Sequence, residues 1–252
     1  MKLISTFLAS QLLFFPSSDF VAHPKQFTEL VTKDVWISTP NGNKLHGWHF
    51  TGNLKNKTLL WSHGNAGNIS DRLDRVRSLI KLGWNILIYD YQGYGKSEGK
   101  PTIDGLLTDG LSAYEWLTAQ GINPNDIVVL GISLGGAVAT HIATHKPIGG
   151  VILENTFTSL QDISKATNPL LPKSLVPNVY RIIDQVKHIS APKLIIHATQ
   201  DEIIPFTMGQ TIFKNAQAPK TFYAGKNAKH DDTYLVDEIE YLNTIEEFLK
   251  KL

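Results

Sequence analysis

Five short apolar runs, none of them alternating, punctuate this chain at spacings that leave room for helices between them. That pattern constrains the fold more than any other feature. The runs are Thr58–Ser62, Asn85–Tyr89, Ile127–Leu130, Gly150–Leu153 and Lys193–His197, with Lys220–Tyr223 as a sixth, weaker candidate. A strand wetted on one face alternates apolar and polar residues, whereas a strand buried on both faces does not. Helix-like stretches fall at about 69–82, 103–120, 134–145, 207–216 and 232–251. Strands of this kind separated by helices predict an α/β fold, a mostly parallel sheet with helices on both faces. Upstream, Asp34–Ser38 and Lys44–Phe50 flank the turn residues Pro40-Asn41-Gly42-Asn43, so the sheet should open with an antiparallel hairpin and reach eight strands.

The rhythm breaks once. Residues 157–190 carry Pro169, Pro172 and Pro177 and several helix-like fragments where one crossover helix would suffice. This stretch reads as a small cap or lid inserted into a single domain spanning 23–252, above the strand ends where open α/β sheets bind ligands. Its Leu160, Leu170, Leu171, Leu175, Val176 and Val179 either wall an apolar site or pack the lid down.

Residues 1–22 form an apolar N-terminal segment in which the run from Leu3 to Phe15 is long enough for a signal-peptide core but too short and polar for a membrane span. A helix packed on the domain, an anchor at a membrane surface through residues 1–15 and a signal all stay open. So do the corresponding cytoplasmic, anchored and exported locations. The formal net charge of +1 gives no reason to expect a nucleic-acid partner. With no cysteine, the chain cannot use disulfides, thiol catalysis or thiolate-bound metals. No metal or cofactor site is expected, and the oligomeric state is open.

The strongest chemical signal is Gly131-Ile132-Ser133-Leu134-Gly135, directly after one apolar run and directly before a helix-like one. A nucleophile on a sharp strand-to-helix turn is lifted above the sheet, and flanking glycines let neighbouring backbone come close. The helix start favours developing negative charge. A serine hydroxyl needs a base, and the base needs an orienting acid. Asp201 lies in the loop after the Lys193–His197 run and His230 in the loop after the last one, so Ser133, Asp201 and His230 follow the order nucleophile, acid, base. Glu154, at the end of its own strand, and Glu202, beside Asp201, are the rival acids.

His141 and His145 stand four apart on a helix, but Ile142 occupies the position where a zinc protease needs glutamate, so both read as ordinary helix residues. Asp90 reads as a tie for the loop after it. Oxyanion donors, commonly the largest electrostatic contribution in acyl transfer, are expected from the backbone N–H groups of Leu134 and of Asn65, with Ala66 in reserve. His63 reads as a support for the loop His63-Gly64-Asn65-Ala66-Gly67-Asn68.

Together with Asp90-Tyr91-Gln92-Gly93-Tyr94-Gly95-Lys96-Ser97-Glu98-Gly99 and Asp201-Glu202-Ile203-Ile204-Pro205-Phe206, these motifs resemble the α/β-hydrolase superfamily and, within it, the Bem46-like serine hydrolases. Gln92 departs from the arginine usual in that loop, and Lys229-His230-Asp231 departs from the usual surroundings of the histidine. The resemblance implies an α/β-hydrolase fold and a serine hydrolase acting on a small-molecule ester or acylated substrate, including thioesters, through an acyl-enzyme. A serine peptidase or amidase, or a non-catalytic binding protein on the same fold, are the alternatives.

Overall fold

The computed structural model describes residues 13–252. Eight strands form one sheet: β1 (Thr32–Ser38), β2 (Lys44–Phe50), β3 (Thr58–Ser62), β4 (Asn85–Tyr89), β5 (Ile127–Ile132), β6 (Gly150–Glu154), β7 (Lys193–Ala198) and β8 (Lys220–Gly225). Their spatial order is β8-β7-β6-β5-β3-β4-β2-β1. Antiparallel pairing joins β1 to β2 and β2 to β4, and the other pairs are parallel. The α/β-hydrolase fold expected from the sequence is the fold observed.

Every residue of β3, β4, β5, β6 and β7 is buried, which is why their sequences do not alternate. The pleat still divides them. Leu60, Leu87, Val129, Val151 and Ile195 face one core, with α2 (Ile103–Ala119) and α3 (Gly135–His145) packed on that side. Leu59, Ile86, Val128, Ile152 and Leu194 face the other, under α1 (Leu73–Leu79) and the C-terminal helix. Four further helices follow: α4 (Leu160–Thr167), α5 (Ile182–Gln185), α6 (Phe206–Asn215) and α7 (Thr233–Val236), before α8 (Glu238–Leu249). The single helix expected over 232–251 is thus two, parted at Asp237, whose side chain caps α8 by accepting from the Glu240 N–H.

The expected N-terminal segment lies partly outside the described residues. Phe14 is buried in the same core as α2 and α3, and Phe15–Pro16 pairs in parallel with Ala66–Gly67. Among the described residues no helix is long and apolar enough to cross a membrane.

The lid leucines are corrected by the structure. Leu160 faces inward, but Leu170, Leu171 and Leu175 are exposed and Val176 is buried in the main core. Hydrophobicity alone did not show which way each side chain of this proline-broken stretch points.

Candidate active site

Ser133 sits at the C-terminal end of β5 with a φ of 54°, in the left-handed region that L-residues adopt only when the surroundings enforce it. Its N–H donates to the Glu154 carbonyl at 2.9 Å, and its own carbonyl accepts from the Thr156 hydroxyl at 2.7 Å and the Gly136 N–H at 3.0 Å. The flanking glycines are needed for room. A Cβ at Gly131 would strike the backbone of Gly135, and one at Gly135 would strike the Ser62 carbonyl of β3. The turn is therefore clamped between β3 and β6, with the serine above the sheet edge.

Asp201 lies in the loop after β7. Its Oδ1 accepts the N–H groups of Ile203 at 2.9 Å and Ile204 at 2.7 Å, which leaves Oδ2 for the His230 Nδ1 at 2.8 Å. That contact assigns the imidazole proton to Nδ1, so Nε2 carries the free lone pair. His197 comes within 3.5 Å of the same carboxylate oxygen, while its Nε2 donates to the Ile204 carbonyl at 3.0 Å. Burial lowers the His197 pKa, which keeps the ring neutral, so it braces the loop without adding a second charge.

Ser133 and His230 line one cavity of about 600 Å³. No hydrogen bond joins Ser133 Oγ to the imidazole; contacts of this kind commonly tighten only when substrate binds. The rival acids are otherwise engaged. Glu154 is fully buried, with Oε1 3.0 Å from Arg75 Nη1 and Oε2 accepting from the Tyr241 hydroxyl at 2.8 Å. Glu202 accepts the backbone N–H of His230 at 3.2 Å, not its ring.

Gly64, Asn65, Ala66 and Leu134 also line the cavity, and no backbone hydrogen bond among the described residues occupies the N–H of Asn65 or of Leu134. The Asn65 side chain is turned to other work, donating to the Leu13 carbonyl at 2.6 Å and accepting from the Tyr94 hydroxyl at 3.0 Å. His63 is buried beneath the loop, its Nδ1 donating to the Gly64 carbonyl at 2.7 Å. Asp90 ties the loop after it, as expected, its carbonyl accepting from Ser97 Oγ at 2.7 Å, and it also holds the segment after Asn68, its Oδ1 accepting the Ile69 N–H at 2.9 Å.

Sequence reasoning missed two supports. Asn155, at φ 46°, donates to the His230 carbonyl at 2.6 Å. Arg75 donates to the Asp231 carbonyl at 3.3 Å while paired with Glu154. The position of Asn155 directly after Glu154, at a strand's carboxyl end, was the available signal for the first; nothing local marks Arg75. His141 and His145 stack on each other at a helix surface, and among the described residues no cluster of His, Asp or Glu has metal-binding geometry.

The Hydrolase_4 family model, described as serine aminopeptidase S33, matches residues 55–179. The chain is 34% identical to the Mycobacterium tuberculosis protein MT2364 over 98% of its own length and 90% of that protein's. It is 34% identical to the α/β hydrolase domain-containing protein WAV2 of Arabidopsis thaliana, over 88% and 80%. Among solved structures, the Pyrococcus furiosus esterase Pf2001 superposes with a TM-score of 0.78 at 24% identity, covering 95% of this chain and 98% of that one. Strand order, the turn carrying Ser133 and these identities over nearly the whole length agree: the chain belongs to the α/β-hydrolase superfamily.

Proposed function

We propose that the protein is a serine hydrolase of carboxylic esters or thioesters that works through an acyl-enzyme. The observation that carries this reading is the 2.8 Å contact between Asp201 Oδ2 and His230 Nδ1, made in the wall of the cavity that Ser133 lines. Asp201 fixes the tautomer and stabilises the imidazolium. Ser133 Oγ attacks the substrate carbonyl carbon as its proton passes to His230 Nε2. The N–H groups of Asn65 and Leu134 receive the developing oxyanion. Collapse of the tetrahedral intermediate expels the alcohol or thiol, which takes the proton from His230. Water, activated by the same imidazole, then releases the acid and restores the serine.

Phe157, Leu160, Ile163 and Tyr180 give the cavity an apolar wall, which suits an acyl chain. Its volume of about 600 Å³ fits short-to-medium chains. A second reading, hydrolysis of amides, draws on the family model described as a serine aminopeptidase.

The test is labelling with a fluorophosphonate probe together with turnover of p-nitrophenyl esters, acyl thioesters and aminoacyl anilides. Labelling and ester turnover should both vanish in Ser133→Ala. Strict preference for the anilides would favour the amidase. A folded wild type that neither labels nor turns over any substrate would leave a non-catalytic member of the fold.

A further inference from the structure

The cavity that Ser133 and His230 line also holds two guanidinium groups, Arg72 and Arg75. Their situations differ. Arg75 is buried and neutralised by Glu154 at 3.0 Å. Arg72 is only partly buried, and its one hydrogen bond among the described residues runs from Nη2 to the Ala66 carbonyl. Among the same residues its buried Nε has no partner. Among the described residues no carboxylate comes within 4.0 Å of it, and residues 1–12 contain no aspartate or glutamate.

Two acids do share the cavity wall. Asp71 and Asp231 attract Arg72 from a distance, but both are exposed to solvent, where water screens their effect. Asp71 Oδ2 is moreover taken by the Asn68 N–H at 2.8 Å. Burial and the neighbouring Arg75 both press against the Arg72 charge, yet a guanidinium stays protonated in proteins. A half-buried cation without a counter-ion is costly, and a ligand that brings an oxyanion to it offsets that cost.

We propose that Arg72 is a specificity-determining residue, and that the preferred substrate is an ester or thioester bearing a second, oxyanionic group, carboxylate or phosphate, outside the scissile bond. This inference rests on the hydrolase reading. The substrate would lay its apolar part against the lid wall and its anion against Arg72, with the scissile carbonyl between them at Ser133. Because Arg72 also holds the Ala66 carbonyl beside the oxyanion donor, its loss alone lowers turnover of any ester. The discriminating quantity is therefore a ratio.

The experiment compares kcat/KM within two matched pairs: mono-p-nitrophenyl adipate against p-nitrophenyl hexanoate, and p-acetoxybenzoate against its methyl ester. Benzoate and phenyl phosphate, tested as inhibitors beside benzyl alcohol, separate the two anion chemistries. The wild type should favour the anionic member of at least one pair by about ten-fold or more, the worth of a charge-assisted hydrogen bond. Arg72→Gln should bring that ratio to near one, and Arg72→Lys should keep part of it.

Turnover of both neutral esters with no anionic preference, or a preference that survives Arg72→Gln, overturns the subsite and leaves the hydrolase reading intact. Turnover of nothing sinks the hydrolase reading. In that event, protection of the wild type but not of Arg72→Gln against thermal unfolding by adipate or phenyl phosphate still supports the anion site, and equal protection rejects it.

Discussion

The carboxamide of Asn155 donates to the backbone carbonyl of His230 at 2.6 Å and, through its Oδ1, accepts the Ala198 N–H at 2.8 Å. One side chain at the end of β6 thus pins the loop of the candidate base to the end of β7, whose following loop carries Asp201. Removing it strands two buried backbone groups, at about 1–3 kcal/mol each. Asn155 also sits at φ 46°, which asparagine and glycine tolerate better than alanine. Asn155→Gly should therefore lower stability through the lost hydrogen bonds alone, and Asn155→Ala by roughly a further 1 kcal/mol. Both should reduce kcat more than they raise KM. Urea unfolding and ester kinetics on the two variants check this; equal stabilities would remove the backbone part of the argument.

Asp201 and its rival Glu154 should separate cleanly by phenotype. Asp201 bonds the imidazole, so Asp201→Asn should cost kcat on the order of 10⁴, as wrong-tautomer variants of such triads do, with little change in unfolding midpoint. Glu154 instead balances the buried Arg75 and accepts from Tyr241. Glu154→Gln leaves that cation uncompensated and should destabilise by about 3–5 kcal/mol while kcat at low temperature stays within about ten-fold. A large kcat loss in a folded Glu154→Gln protein would make Glu154 the working acid.

Much of this was legible before any coordinates. The buried strands announced themselves because burial on both faces erases alternation, and the glycine-flanked Ser133 sat where a strand had to turn into a helix. The meeting of Asp201 with His230 was legible from chain order and loop position. The supports around them were not. Arg75 meets Glu154 across 79 residues, and a long-range pairing of that kind leaves no periodic mark in one sequence. The lid was the weakest reading for a related reason: Leu160 and Leu170 are equally apolar, yet one is 6% exposed and the other 93%, because direction in an irregular segment is set by tertiary contacts.

That inward Leu160 yields a specificity prediction. It lies at the first turn of α4 and lines the cavity with Phe157 and Ile163. Leu160→Trp fills space that a longer acyl chain would use. The ratio of kcat/KM for p-nitrophenyl octanoate to that for the acetate should fall by about ten-fold, the scale set by a methylene or two of lost pocket contact. An unchanged ratio would place the acyl chain elsewhere in the cavity.

The candidate oxyanion loop should also make the fold sensitive to acid. His63 is fully buried, and desolvation lowers its pKa from 6.5 to about 3. A base whose folded pKa lies below its unfolded value binds protons preferentially in the unfolded chain over the interval between them. Its contribution is therefore neutral above about pH 6.5, and stability falls as the pH drops below that value. Between pH 7 and pH 5 the loss from this one group is about 2 kcal/mol. His63→Asn, whose amide can replace the Nδ1 donor to Gly64, removes the titration. The wild type should accordingly lose about 2 kcal/mol more than the variant across that range in urea unfolding. Parallel pH profiles for the two proteins would mean that His63 reaches a proton without unfolding, and that the loop carrying Asn65 opens locally in acid.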